Sequence, residues 1–314
     1  MSKKPDITLA QLRYFIEAAE FLSMTTAANE LHIAQSAVSS AIAQLESQVG
    51  VQLFIRQRSK GLTLTEAGQQ LLGDARGVLL QLDEALDSAR GQANQVRGRL
   101  RIACFVTLAP FLLPALISAI QDAHPHLEVE VDEVDFAGAR EALRSGRAEL
   151  AIGYNFGFGD DITAKTVAEV LPHIILPSGH PLTQRTRIPL RELSRERMIL
   201  LDLPHSREYM LALLTSVGLE PSIRYRSASY ETVRSLVAQG HGFSILNQHP
   251  QYDTTYGGKS VVVRPIADPV PSLPIVLAKL RSSRPSARAR AIGEILESIV
   301  RDTQSSVWDA DLSR

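Results

Sequence analysis

The chain carries a single cysteine, Cys104, so it can form no internal disulfide, and that usage fits a reducing compartment. Net charge is nearly absent as well. At −1 over 314 residues, the whole molecule implies neither an acidic nor a basic partner, although a local basic patch can be offset elsewhere. No apolar run approaches the roughly 18 residues that span a bilayer. The start MSKKPDITLA is basic but lacks the apolar stretch of a signal peptide. There is no GxGxxG pattern and no phosphate-binding loop, and no nucleophile-elbow signature frames Asp202, His205 and Ser206. His124 and His126 lie in a proline-containing turn and are too few for a metal site. Cys104 stands in an apolar strand and reads as a small core residue. These absences leave a soluble, cytoplasmic chain with no catalytic, metal or cofactor signature. Hydrophobic residues make up 45% of it, and its length calls for two or three folding units.

The first unit is helical. Thr8 to Gln11 reads as a capping box, after which Leu9, Leu12, Phe15, Ile16 and Ala19 share one helical face. Ser23 or Thr25 can cap a short second helix holding Ala27, Ala28 and Leu31. A tight turn at His32–Gln35, with Ile33 pointing inward, leads to a third helix over about 36–48, closed by Gly50. In that helix Val38, Ile42, Leu45 and Val49 recur at spacings of four, three and four, the rhythm of a buried seam. Its opposite face begins with Gln35, Ser36, Ser39 and Ser40. That face is either solvated surface or the reading face of a helix-turn-helix, whose second helix enters the major groove N-terminus first. Gln pairs with adenine through two hydrogen bonds, and Ser reaches a base edge or a phosphate.

The next stretch, LFIRQRSKGLTLTEAG, reads as two short strands around a turn, with Arg56, Arg58 and Lys60 clustered there. Beside a helix-turn-helix, such a basic hairpin is a wing suited to phosphates or the minor groove; the alternative is a charged surface loop. The segment SMTTAANELHIAQSAVSSAIAQLESQVGVQLFIR resembles the winged helix-turn-helix of LysR-type transcriptional regulators. The matching elements are Ala27-Ala28, Leu31, Gln35 to Ser39, Ile42, Leu45-Glu46, Gly50, Leu53-Phe54 and Arg56, with LTLTEAG at the junction to the linker. By that resemblance Gln35, Ser36, Ser39 and Ser40 align with base- and phosphate-contacting positions. Two departures stand out: Ala34 where many members carry a capping Ser or Thr, and Ser40 where many carry Arg. Residues 1–64 hold six Lys or Arg against five Asp or Glu, a net of only +1. One copy should therefore bind DNA weakly, and linked copies should supply the avidity.

Thr65 can cap a long helix ending near Gly91. Leu71, Ala75, Val78, Leu82, Ala85 and Ala89 make a heptad seam, widened by Leu72, Leu79 and Leu86. Its expected partner is the same helix of a second chain; the alternative is packing against its own C-terminal domain. Gly91–Gly98 reads as a polar hinge.

From Gly98 onward strands alternate with helices, which implies a mainly parallel sheet with helices on both faces. Two such sets suggest a bilobed domain, and the resemblance implies the form of a periplasmic binding protein, with crossings near 166–170 and 266–269. The fold expected overall is α/β with an N-terminal all-α winged helix-turn-helix and a long linker helix. The division is 1–64 for the DNA-binding head, 65–97 for linker and hinge, 98–305 for the effector domain and 306–314 for a tail. Lobe I takes 98–167 and 269–305, and lobe II takes 168–268.

Ligands of such sheets bind at strand ends near helix N-termini. That rule selects Thr107, Tyr154, Pro204, His205, Ser206, Ser229, Tyr230 and Asn247. Hydroxyls and free N–H groups at helix starts suit a carboxylate. For Thr107 and Ser206 helix capping is an equal alternative, and for Ser229 it is the better reading. Tyr154 and Tyr230 either stack on an aromatic ligand or pack ordinarily. The function this implies is a regulator of transcription, not an enzyme. Its expected partners are double-stranded promoter DNA, a small organic effector, further copies of itself in a tetramer, and RNA polymerase. No cofactor, metal or membrane is expected. The alternative is a bilobed small-molecule-binding or hydrolytic protein without a DNA role.

Overall fold

The computed structural model describes residues 6–57, 61–89, 96–283 and 285–303. The head opens with α1 (Leu9–Phe21), α2 (Met24–Glu30) and α3 (Gln35–Val49). Thr8 caps α1 in a capping box with Gln11, and Ser23 caps α2 through the N–H of Thr26. The three helices close on Phe15, Ala18, Ala27, Ala28, Val38, Ile42 and Leu45, all at most 2% exposed. Val49 does not complete the seam. It is 39% exposed, because Gly50 turns the chain away with a φ of 81°. Leu9 likewise lies outside the core, at 43% exposure on the first turn of α1. The wing is a hairpin of β1 (Phe54–Gln57) and β2 (Gly61–Leu64), tied to the head by the N–H of Leu62 on the carbonyl of Leu22.

Thr65 accepts a hydrogen bond from Gly68 and so caps α4 (Glu66–Ala89), a 24-residue helix about 36 Å long. Its first half packs Leu72 and Ala75 into the head core. Farther along, Val78 and Leu86 stand 47% and 43% exposed. The segment 90–95, most of the expected hinge, lies outside the described residues.

Lobe I is built on a five-stranded sheet in the order β4-β3-β5-β12-β6. Its strands are β3 (Gly98–Phe105), β4 (Leu127–Val134), β5 (Leu150–Tyr154), β6 (Ile162–Val170) and β12 (Leu273–Leu280). The helices α5 (Ala109–Ala123), α6 (Phe136–Arg144) and α9 (Ala287–Thr303) cover it. The sheet is mixed, not mainly parallel. β3 runs parallel to β4 and β5, but β12 is antiparallel to both β5 and β6. The reason is topological: the chain leaves lobe I after β6 and re-enters by β12 from the other lobe.

Lobe II contains β7 (His173–Pro177), β8 (Arg197–Leu201), α7 (Ser206–Thr215), β9 (Ser222–Ser227), α8 (Tyr230–Ala238), β10 (Ser244–Leu246) and β11 (Val261–Pro265). β7 pairs antiparallel with β10 and β11, while β8 and β9 are parallel. Hydrogen bonds between Phe243 and both Arg197 and Ile199 stitch the two parts together. The crossings fall at 171–172 and 266–272, between β6 and β7 and between β11 and β12. One buried cluster runs from the lobe I sheet into lobe II through Leu201, Leu203, Val233, Val237 and Leu246. A second belongs to lobe II alone, around Met198, Met210, Leu213 and Phe243.

Candidate DNA-reading face and interlobe cleft

The reading face lies at the N-terminal end of α3. Gln35, Ser36 and Ser40 are exposed and Ser39 is half-buried. The Gln35 amide donates from Nε2 to Ser39 Oγ at 2.9 Å, one helical turn on, which orients the amide and leaves its oxygen free to accept. Ala34 occupies the N-cap with extended backbone and offers no side-chain cap. On the wing, the backbone of Arg56 belongs to β1 opposite Leu62. Arg58 and Lys60 lie outside the described residues.

The cleft between the lobes contains a cavity lined by Thr107, Tyr154, Leu201, Ser206, Met210, Tyr230, Leu246, Asn247 and Gln248. Room for the centres of water-sized molecules amounts to about 10 Å³, one water's worth. Every lining side chain is uncharged. Positive potential comes instead from backbone. α7 begins at Ser206, α8 begins at Tyr230, and α5 begins two residues after Thr107, so three helix N-termini converge on this one space.

The hydroxyls are held from behind. Tyr154 closes β5 and is 2% exposed. Its hydroxyl receives Gln248 Nε2 at 2.9 Å and also hydrogen-bonds to Thr107. Burial pushes its pKa up, so it stays a neutral phenol, with the Gln248 and Thr107 bonds pulling the other way. The Tyr230 hydroxyl donates to the carbonyl of Gln248, and its pKa too is pushed up by burial. Each ring already meets an aromatic neighbour edge-on, Tyr154 with Phe105 at 5.4 Å and Tyr230 with Phe111 at 5.7 Å. Asn247 is 6% exposed, and its Oδ1 is buried without a hydrogen-bond partner.

The structure thus gathers Thr107, Tyr154, Ser206, Tyr230 and Asn247 around one cavity. It leaves out the other three residues selected from strand ends. Pro204 is exposed and does not line the cavity. Ser229 caps α8 through the N–H of Thr232 and faces an outer groove with Tyr256. His205 sits at the N-cap of α7 with a φ of 66°, and its ring packs against Phe136 at 4.6 Å and Phe156 at 6.1 Å, at the cleft mouth. Capping does not account for Thr107 or Ser206, since α5 and α7 have no side-chain cap. Sequence reading missed Gln248, whose only signal is a polar residue directly after a strand. It also missed Leu201, Met210 and Leu246, which carry no signal that separates them from core.

Among the described residues no group of three or more His, Cys, Asp or Glu could hold a metal, and no helix is long and apolar enough to cross a membrane.

A winged helix-turn-helix joined by a long helix to a bilobed binding domain defines a ligand-responsive DNA-binding protein. Residues 9–69 match the bacterial regulatory helix-turn-helix protein of the lysR family, and residues 93–300 match the LysR substrate binding domain. The chain belongs to the LysR family of transcriptional regulators and is accordingly not an enzyme. It resembles the hydrogen peroxide-inducible genes activator of Haemophilus influenzae, with 26% identity over 306 residues, 96% of this chain and 99% of that one. HinK, a LysR family regulator from Pseudomonas aeruginosa, is 35% identical, with 94% and 99% of the two chains covered and a TM-score of 0.64. A full-length OxyR variant from the same organism gives a TM-score of 0.77 at 27% identity, covering 94% and 98%.

Proposed function

We propose that this regulator reads a partly palindromic promoter site in the cytoplasm, as a tetramer whose heads are paired through α4. Gln35, Ser36, Ser39 and Ser40 contact bases and phosphates, and Arg56, Arg58 and Lys60 hold the flanking backbone. The exposed Val78 and Leu86, on the seam of α4 beyond the head, support pairing with a second copy. RNA polymerase is the downstream partner. The effector is a small organic carboxylate bound between the lobes. Its different affinity for two arrangements of the oligomer shifts their populations and so promoter use.

One observation carries the effector reading: three helix N-termini meet at an uncharged, hydroxyl-walled cavity in which Asn247 Oδ1 has no partner. The helix ends favour an anion. The orphan acceptor calls for a donor, so an effector bearing a hydroxyl or amino group beside its carboxylate meets both demands. Because the cavity holds one water's worth of space, such a molecule enters only as the lobes part.

A panel of small hydroxy and amino carboxylates, with the matching amides, tests this by calorimetry on the full chain. Carboxylates should bind and amides should not, and Asn247→Ala should weaken the binders. Equal binding of acid and amide would remove the carboxylate from the proposal. For the DNA half, duplexes selected from a random pool by the full-length protein should be footprinted with wild type and Gln35→Ala. Undiminished specific protection by the variant would show that the wrong face of α3 has been chosen.

Relatives named for hydrogen peroxide raise a second reading. Cys104 argues against it. It is the chain's single cysteine, fully buried, and burial pushes its thiol pKa up to about 12. DNA binding by the purified protein is therefore expected to be unchanged by peroxide.

A further inference from the structure

A glycine and an arginine on the linker helix touch the effector domain of their own chain. A Cβ built on Gly73 would lie 2.3 Å from the carbonyl oxygen of Arg144, the last residue of α6, so only glycine lets the two backbones meet. One turn on, Arg76 Nη1 donates to the carbonyl of Ser145 at 2.7 Å. Ser145 is the C-cap of α6, where carbonyls are left over and a cation is favoured. The turn continues through Gly146, whose φ is +63° and on which a Cβ would lie 3.1 Å from Arg76 Cβ and 3.3 Å from the carbonyl oxygen of Gly73. The Arg76 side chain is only 14% exposed.

The same arginine reaches the head. Arg76 Nη2 donates to Glu20 Oε2 at 2.9 Å, and Arg101 Nη1 on β3 donates to Glu20 Oε1 at 3.0 Å. Arg101 is fixed in turn by Glu130 on β4. One carboxylate of α1 is thus gripped from the linker helix and from the lobe I sheet at once.

The far end of α6 looks the other way. Phe136, its first residue, is 1% exposed and meets the ring of His205 at 4.6 Å. His205 precedes Ser206, which starts α7 and lines the cavity. A single nine-residue helix, about 13 Å long, therefore contacts lobe II at the cleft mouth and the linker helix at its other end.

We propose that α6 is the element that carries cleft movement to the DNA-reading head, with Gly73, Arg76 and Glu20 as the residues that position the head on lobe I. When an effector parts the lobes, α7 moves relative to Phe136. A close-packed helix shifts as a body and does not absorb such movement along its length. Its C-terminal end then moves against Gly73 and Arg76, and α4 and the head follow. The inference rests on the regulator reading.

Gly73→Ala and Arg76→Gln test it on the full chain, with Gly77→Ala as control, since a Cβ at Gly77 on the same helix meets nothing within 4 Å. Hydrogen exchange and hydroxyl-radical footprints on selected duplexes are the two readouts. Both test variants should raise amide exchange at Ser145, Gly146 and the first half of α4 by about tenfold. They should also lengthen or shorten the protected stretch by about 5–10 base pairs, half to one turn. Gly77→Ala should do neither. Arg76→Gln keeps the helix sequence otherwise intact and stands in if Gly73→Ala fails to fold. Unchanged exchange would overturn the clamp. Raised exchange with an unchanged footprint would overturn its role in placing the head. Absence of any protection by wild type would instead bring down the regulator reading, and this inference with it.

Discussion

Gln248 in lobe II and Tyr154 in lobe I share a hydrogen bond of 2.9 Å, fully buried, across the wall of the interlobe cavity. It joins the lobes where the buried cluster that both share carries the apolar packing. Tyr154→Phe would leave the Gln248 amide without its acceptor. A stranded buried donor costs about 1–3 kcal/mol, whereas removing both partners in a similar shape costs far less. Chemical denaturation should therefore show Tyr154→Phe to be the more damaging change, with Tyr154→Phe plus Gln248→Leu recovering part of the loss.

Stability should depend on pH through His173. The residue is 9% exposed, its Nε2 lacks a partner, and burial, reinforced by His249, pushes its pKa from 6.5 down to about 3. Below pH 6.5 the unfolded chain binds a proton that the folded chain refuses until about pH 3. Stability is thus intact above that window and falls within it, by about 1.4 kcal/mol per pH unit from this group. His173→Asn should flatten that slope in denaturation series run at stepped pH. An unaltered slope would mean that His173 titrates normally.

The uncapped start of α3 is open to improvement. Ala34→Ser supplies an oxygen to the free N–H groups of the first turn and should stabilise that turn by about 0.5–2 kcal/mol. Slower amide exchange over the first residues of α3, and nowhere else, would show it.

Charge on the exposed seam should separate the copies. Val78→Asp with Leu86→Glu places like charges on a face that is apolar now. Analytical ultracentrifugation should report smaller assemblies, and affinity for a two-site duplex should drop by about 10²–10⁴, the avidity lost with the link. Unaltered assembly would move the pairing surface elsewhere.

Much of this was legible because helices and strand ends write themselves locally. Val38, Ile42 and Leu45 announce α3 by spacing alone, and Thr107, Ser206 and Asn247 announce the cleft because chain order puts them where strands end and helices start. The apolar half of the cleft was not legible. Leu201, Met210 and Leu246 have the composition of core, and only the crossing of two lobes turns them into a wall. The mixed sheet was hidden for a related reason: the direction of β12 depends on the chain's route through lobe II, not on its own residues. The contact of Gly73 with Arg144 was invisible in principle, since nothing near either residue in sequence refers to the other. His205 is selected by its place between a strand end and a helix start, yet its ring contacts with Phe136 and Phe156 set it at the cleft mouth.

One buried cluster serves both lobes, and this has a calorimetric consequence. Most small-molecule complexes show a negative heat-capacity change because binding removes apolar surface from water. On the effector reading proposed above, a guest larger than a water would first uncover Leu201, Leu246 and their neighbours before covering them again. The two contributions oppose each other. The heat-capacity change on binding should therefore come out small, or even positive, for a ligand that nonetheless binds well and whose thermal stabilisation still follows its affinity.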